Sequence, residues 1–321
     1  MIPSLTIDLS LPPQKRWKLN KLQRRQTLEL LEIYSADCGV DVQDRQAVAN
    51  AAQHVIPPDY WLEMESLAGL LNLPISEVAF ANVYYDSVKV TLARVFGCSA
   101  FAVENATEIL HARNLDWWTV NGALNRSTVM VRFVGGPQGE FTVIGWPGFA
   151  GAFSGIAPGR FALTLNAVLS QEPPQLAMPV EFLLRQALEQ EPTFDEALRR
   201  LRETPIPCDC LLLLTGAKPG ELVVIERTPT RSAVRRARDG FVCTTNDYQL
   251  LDAQLSLASS PLQASCCGRY QRTESPLAAH RPQTAEECFH YLNDQDVRMS
   301  ITVQQMVFSV ATGRHWVRLP N

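Results

Sequence analysis

The sequence contains no C-x-x-C pair and no H-E-x-x-H, so the usual spacings of structural and catalytic zinc sites are missing, and no metal or other cofactor is expected. No apolar run is long enough to cross a bilayer. The best candidate, around Cys210 to Ala217 (CLLLLTGA), falls far short of the roughly 20 residues required. The opening MIPSLTIDLSLPPQKRWKLN has no basic stretch followed by an apolar one, so no secretory signal is read there and a cytoplasmic chain is expected. Excess positive charge is absent too. A formal net charge of −4 argues against a nucleic-acid partner, which leaves a basic footprint. One short basic stretch, Arg231 to Arg238 (RSAVRRAR), reads as a solvated strand edge or turn. The eight cysteines lack the spacing of a disulfide framework. A redox or metal site on Cys208/Cys210 or Cys266/Cys267 would need a geometry that cysteines so close in sequence rarely have.

What is present is ordinary for a globular protein: 46% hydrophobic and 19% charged residues in 321, enough for one large domain or two moderate ones. The first 97 residues and the rest differ in texture. Helical spacing marks Leu19 to Ala36, Asp44 to Val55 and Trp61 to Asn72, and a fourth helix follows through Glu77 to Tyr85 with Ser76 as its cap. From Cys98 onward short apolar, often alternating runs are separated by Gly, Pro and Asn. Helices interrupt them at Pro179 to Glu189, Thr193 to Glu203 and Thr284 to Asn293, and two strands close the chain. Residues 1–97 are therefore expected as a helical segment and 98–321 as a layered α+β domain of mostly antiparallel sheets.

The informative stretch is GCSAFAVENATEILHARNLDWW, from Gly97. It reads as a hairpin that returns Arg113, Asn114 and Asp116 to the level of Cys98. Alternation puts His111, Arg113 and Leu115 on one face and Ala112, Asn114 and Asp116 on the other, so a bulge or the strand's end at Asn114 would be needed for Arg113 and Asp116 both to reach one thiol. A guanidinium beside a sulfur favours the thiolate, and a carboxylate can orient an amine base. From residue chemistry alone the plainer reading stands ahead: a cysteine packed on a buried strand and an Arg–Asp surface pair.

The block G-C-S-A-F, then I-L-H-A-R-N-L-D-W, resembles the acid ceramidase and N-acylethanolamine acid amidase family, cysteine members of the N-terminal-nucleophile hydrolases. The similarity runs along most of the chain. EIYSAD and SLAGLLNL resemble the family's propeptide, the future α subunit, and GWPGFAGAFSGIAPGRFALTLN its Gly-rich turn and strand. FDEALRRLRETPI, ELVVIERT, TTNDY and TVQQMVF follow in family order. The resemblance implies a four-layer αββα sandwich and self-cleavage between Gly97 and Cys98. Cys98 would be the nucleophile, Arg113 would lie against the thiolate, and Asp116 would hold the new amine. Asn246 would donate to the oxyanion, with Arg269 as the last active-site arginine and Arg272 as the other candidate. It further implies an N-acyl amide substrate resembling a fatty acyl ethanolamide or a ceramide, a partner in the chain's own cleaved segment, and peripheral membrane contact. Trp117, Trp146 and Phe149, with Trp118 and Phe153, are expected to line an acyl channel, although aromatic residues at strand ends also read as core. Where the family carries a glutamate that assists self-cleavage, this chain has Ala167.

Three other readings remain at this stage. A bile acid hydrolase or penicillin acylase exposes its nucleophile near the start, whereas 97 residues precede Cys98 here. A β-lactam acyltransferase would share the self-cleavage. A non-catalytic binding protein would retain the fold.

Overall fold

The computed structural model describes residues 2–89, 96–251 and 261–320. The N-terminal segment opens with an unforeseen strand, β1 (Ser4–Asp8), followed by five helices: α1 (Lys21–Cys38), α2 (Val42–Gln53), α3 (Pro58–Leu71), α4 (Ile75–Asn82) and α5 (Tyr84–Lys89). Local chemistry sets their ends. Asn20 and Gln23 close a capping box at the start of α1, and Gly39 ends it in a left-handed conformation. Asp41 caps α2, with Asp44 completing the capping box. The expected Ser76 cap is not formed: α4 starts after Pro74, whose fixed φ suits a helix entry, and Ser76 is buried inside the first turn.

The hairpin β2 (Phe96–Glu104) and β3 (Ile109–Trp117) is closed by Asn105, whose side-chain oxygen accepts from the amides of Thr107 (2.9 Å) and Glu108 (3.0 Å). A short α6 (Ala123–Arg126) leads into β4 (Val129–Val134), β5 (Phe141–Gly145), β6 (Ser154–Ala157) and β7 (Phe161–Asn166). Then come α7 (Val180–Gln190), α8 (Phe194–Glu203), β8 (Cys210–Gly216), β9 (Leu222–Arg227), β10 (Ser232–Arg236) and β11 (Phe241–Thr244). The chain ends with α9 (Pro261–Ala279), α10 (Ala285–Leu292), β12 (Thr302–Ser309) and β13 (Arg314–Arg318).

Eight strands form one sheet in the order β1-β4-β5-β6-β7-β8-β9-β10, and five form a second, β11-β2-β3-β12-β13. All pairings are antiparallel except that of β1 with β4, so the first segment supplies an edge to the larger sheet. Parity along β2 and β3 fixes the layers. Ala100 and Ala102 pack with Leu211, Leu213 and Val224 of the larger sheet, while Phe101, Val103, Leu110 and Ala112 pack with Leu277 of α9 and Phe289 and Leu292 of α10. With α7 and α8 on the far side of the larger sheet, the molecule is the αββα sandwich expected.

His111 crosses the gap between the sheets, its ring nitrogens 3.0 Å from the Thr215 hydroxyl and 2.9 Å from that of Thr164. Burial, reinforced by the nearby Arg113 charge, depresses its pKa to about 3. The unfolded chain takes up this proton below about pH 6.5 and the folded chain does not, so the contribution is complete above 6.5 and is lost as pH falls toward 3. Unfolding at pH 7 and pH 5 should show about 2 kcal/mol lost through this residue. In His111→Gln that part of the acid slope should vanish; an unchanged slope would assign it elsewhere.

Candidate active site

Cys98 pairs with Leu115 and Gly97 with Asp116, so Cys98, Arg113 and Leu115 share the face turned to the larger sheet. Arg113 extends along that face, and its Nη2 lies 3.3 Å from the Cys98 sulfur. The guanidinium is aimed by fixed backbone acceptors, the carbonyls of Phe153 (3.0 Å) and Leu165, and by the Ser154 hydroxyl. Both Cys98 and Arg113 are buried.

Asp116 occupies the opposite face. Its Oδ1 accepts from Thr302 at 2.5 Å, and its buried Oδ2 has no donor among the described residues. Burial raises its pKa above the ordinary carboxylate value; the Thr302 hydroxyl, Arg269 and Arg113 only partly offset this. No bulge interrupts β3, and the register there is continuous. The irregularity sits in the partner strand β12, between Thr302 and Gln304. No bulge is required, because the two side chains serve different atoms: Arg113 reaches the sulfur, and Asp116 flanks Gly97. A Cβ on Gly97 would stand 3.2 Å from Asp116 and 2.5 Å from the Met299 sulfur, so close approach explains the glycine. Its φ is outside the left-handed region.

The backbone of Cys98 is gripped by residues distant in sequence. Its N–H donates to Asn246 Oδ1 at 3.1 Å, and its carbonyl accepts from Arg269 Nη1 at 2.7 Å. Arg269 also donates to the Ser99 hydroxyl (3.0 Å) and to Asn246 Oδ1 (2.9 Å). It projects from α9 and is 2% exposed, whereas Arg272, one turn on, is half-exposed and paired with Asp294 at 2.7 Å. Of the two, Arg269 is the one that touches the Cys98 backbone. The Asn246 amide donates to the Ala167 carbonyl at 2.8 Å, so in the uncut chain it is already committed.

Asn166 precedes Ala167 at the end of β7. Its amide donates to the carbonyls of Thr244 (3.3 Å) and Thr245 (2.8 Å), the residues that deliver Asn246, and its own buried oxygen has no donor among the described residues. Its one sequence signal is a polar residue ending a mostly apolar strand.

The aromatic residues form a block beside Cys98. Trp117 stacks near Tyr84 (5.7 Å) and Tyr34 (6.2 Å) and meets Trp146 and Phe153 edge-on, both at 5.8 Å. Trp146 donates to the Leu124 carbonyl at 2.8 Å, and Phe149 lies 4.9 Å from Phe153. Trp117, Trp146 and Phe153 are core in this state, and the space left between Phe149, Trp146 and Tyr34 is about 20 Å³. Trp118 stands apart, 49% exposed.

Two facing sheets with helices outside, and a cysteine near the start of an inner strand with its sulfur toward the gap, fit the N-terminal-nucleophile hydrolase fold. The Caenorhabditis elegans N-acylethanolamine-hydrolyzing acid amidase ortholog has this fold too: TM-score 0.55, 22% identity, covering 70% of this chain and 100% of that one. The chain belongs to the acyl-coenzyme A:6-aminopenicillanic acid acyl-transferase family, whose sequence model matches residues 103–308. That span begins after Cys98 and includes Arg113, Asp116, Asn246 and Arg269. Within the family it is an acid ceramidase-like chain, 26% identical to the acid ceramidase of Balaenoptera acutorostrata scammoni over 72% of this chain and 65% of the relative. It is also 28% identical to the N-acylethanolamine-hydrolyzing acid amidase of Caenorhabditis elegans over 51% of this chain and 50% of the relative. The chain thus spans less than two thirds of the length of either relative. Among the described residues no helix is long and apolar enough to cross a membrane.

Proposed function

We propose that this chain is a self-cleaving cysteine amidohydrolase, cut between Gly97 and Cys98, that hydrolyses N-acyl amides resembling fatty acyl ethanolamides or ceramides. The observation that carries the reading is the Arg113 guanidinium 3.3 Å from a sulfur whose own N–H and C=O are held by Asn246 and Arg269. A merely packed cysteine needs none of these.

In the precursor the Cys98 thiolate attacks the Gly97 carbonyl carbon. The Gly97–Cys98 C–N bond breaks, a thioester forms, and the departing nitrogen takes a proton. Asp116, its carboxyl raised by burial and lying on the Gly97 side of the strand, supplies that proton. Water then hydrolyses the thioester, leaving residues 1–97 and 98–321 as separate chains, and the ionised Asp116 faces the new ammonium. An α-amine titrates near pKa ~7.7–8.0, so it can take the thiol proton near neutrality. In turnover the thiolate attacks the substrate amide carbon, and Asn246, once it gives up the Ala167 carbonyl, donates to the oxyanion. The ammonium protonates the leaving amine, and water releases the acid. The aromatic block offers the acyl chain an apolar wall, and removal of the covalent link before Cys98 lets Tyr84 and Tyr34 withdraw from it. Trp118 and Val120, exposed and following Trp117 in sequence, suit contact with a lipid surface.

Intact mass after expression tests the first half: fragments meeting at 97/98 are expected, and a permanently uncut chain overturns it. The cut protein, offered N-acyl amides of graded chain length, should release fatty acid; no release from any of them overturns the second half. A transferase reading has one specific support, the acyl transfer in the family's description. It predicts that an added amine intercepts the thioester faster than water. Asn166 acts here as a positioning residue. In Asn166→Ala about a tenfold fall in kcat is expected, the worth of roughly one buried hydrogen bond, with KM little changed. An unchanged kcat would make Asn166 purely architectural.

A further inference from the structure

The basic stretch Arg231 to Arg238 belongs to no part of the site around Cys98. It forms β10, the last strand of the larger sheet, while β11 is the end strand of the smaller one. Between them runs a groove of about 720 Å³, within the range of small-molecule sites. One wall carries Arg235, Arg236 and Arg238; the other carries Phe241, Val242 and Leu250. Arg235 is drawn inward, its side chain 15% exposed. Its Nη1 donates to the Cys243 carbonyl at 2.7 Å, its Nε reaches Glu226 at 3.5 Å, and its buried Nη2 has no acceptor among the described residues. The exposed Arg236 and Arg238 have no carboxylate partner among the described residues. Leu250 is 53% exposed, a large apolar side chain held in water opposite these charges. The acidic side chain on the rim, Glu274, already accepts from the Tyr270 hydroxyl at 3.2 Å.

Charges on an edge strand ordinarily prevent edge-to-edge pairing, and for that they must stand in water. That accounts for Arg236 and Arg238. It does not account for a buried guanidinium with an unused N–H, or for an apolar wall facing it across a concavity. A carboxylate or phosphate would satisfy the orphan Nη2 and neutralise its neighbours, since planar guanidinium forks match both anions. An alkyl chain beyond that head group would cover Leu250 and Phe241.

We infer that the groove between β10 and β11 is a binding site for an anionic amphiphile, a carboxylate or phosphate head group on a linear alkyl chain. The inference is independent of the reaction proposed for Cys98. It is tested on full-length protein carrying Cys98→Ala, so that no thioester can form. Sub-micellar dodecanoate and dodecyl phosphate are titrated calorimetrically, with inorganic phosphate and dodecyltrimethylammonium as controls. Saturable binding of both anions is expected, weakened at least tenfold in R236E/R238E and in the separate variant L250E. Both variants change exposed positions, and unaltered thermal unfolding verifies their folds. A dodecanoate analogue with a terminal diazirine should label peptides within 236–251. Labelling confined to the Trp146–Phe153 region, affinity unchanged in the variants, equal binding of the cationic amphiphile or equal binding of inorganic phosphate each overturns the assignment. So does displacement of the amphiphile by an acidic peptide of higher affinity, which would make the groove a peptide site.

Discussion

Cys98→Ala should yield one uncut chain of 35.8 kDa and lower amide hydrolysis by about 10⁴-fold or more. Both losses have one origin. The sulfur that would attack the Gly97 carbonyl is the sulfur that would attack substrate, and its cationic neighbour, Arg113, has no other sulfur within the contacts of the site. Intact mass and release of fatty acid from an N-acyl amide measure the two effects separately. Because Cys98 is 2% exposed and loses one atom, the fold should survive with a cost on the order of 1 kcal/mol, checked by thermal unfolding. Cys98→Ser sharpens the test. A hydroxyl is a poorer nucleophile near neutrality, so cleavage should slow from the normal rate to hours while the final fragments stay the same. Cleavage at 97/98 in the alanine variant would end the proposal, since no other nucleophile is offered for it.

Some of this was legible from the residues and some could not be. The β2–β3 hairpin was readable because period-two alternation, a polar turn and a returning strand are local signals, and the faces assigned to Arg113 and Asp116 agree with the register. The condition set for both to reach one thiol, an irregularity at Asn114, is not met, because the two side chains serve different atoms. A strand presents side chains to two layers, and here Arg113 meets the sulfur on one face while Asp116 flanks Gly97 on the other. β1 was missed because its partner is β4, more than a hundred residues away and parallel, and no local pattern encodes such a pairing. α9 was missed because Gly268 and Pro276 interrupt an already weak helical pattern; packing against β2 and β11 decides it. Asn166 acts on backbone carbonyls, which leave no mark in a sequence.

Glu63→Ala should destabilise the protein by about 3–5 kcal/mol, the usual cost of removing one partner from a buried ion pair. Glu63 in α3 is fully buried and accepts from Arg16 (2.9 Å), Trp17 (2.8 Å) and both Arg185 Nη atoms (2.7 Å each). Arg185 belongs to α7, is equally buried, and lies over the rings of Tyr60 (4.2 Å) and Phe133 (4.8 Å). Burial alone would raise the Glu63 pKa, but Arg185 and then Arg16 outweigh it and hold it below the ordinary value. The contribution is therefore complete above the unfolded carboxylate pKa and is lost as pH falls through the lower folded one. This cluster joins the residues before Gly97 to those after Cys98, so its importance grows when the bond between them is cut. In an uncut Cys98→Ala background, Glu63→Ala should reduce unfolding free energy in urea yet leave one particle. In the cut protein the same change should loosen the hold on the N-terminal fragment, so that part of it separates on size exclusion, with the β1–β4 pairing, the shared apolar core and the Glu29–Arg126 pair still opposing its release. Removing the charge on the other side as well, in Glu63→Gln with Arg185→Met, should recover part of the loss, since the deepest guanidinium no longer lacks its counter-charge. If fragments of the cut Glu63→Ala protein still elute together and the urea midpoint is unchanged, the cluster is incidental and the association of the two segments rests on their other contacts.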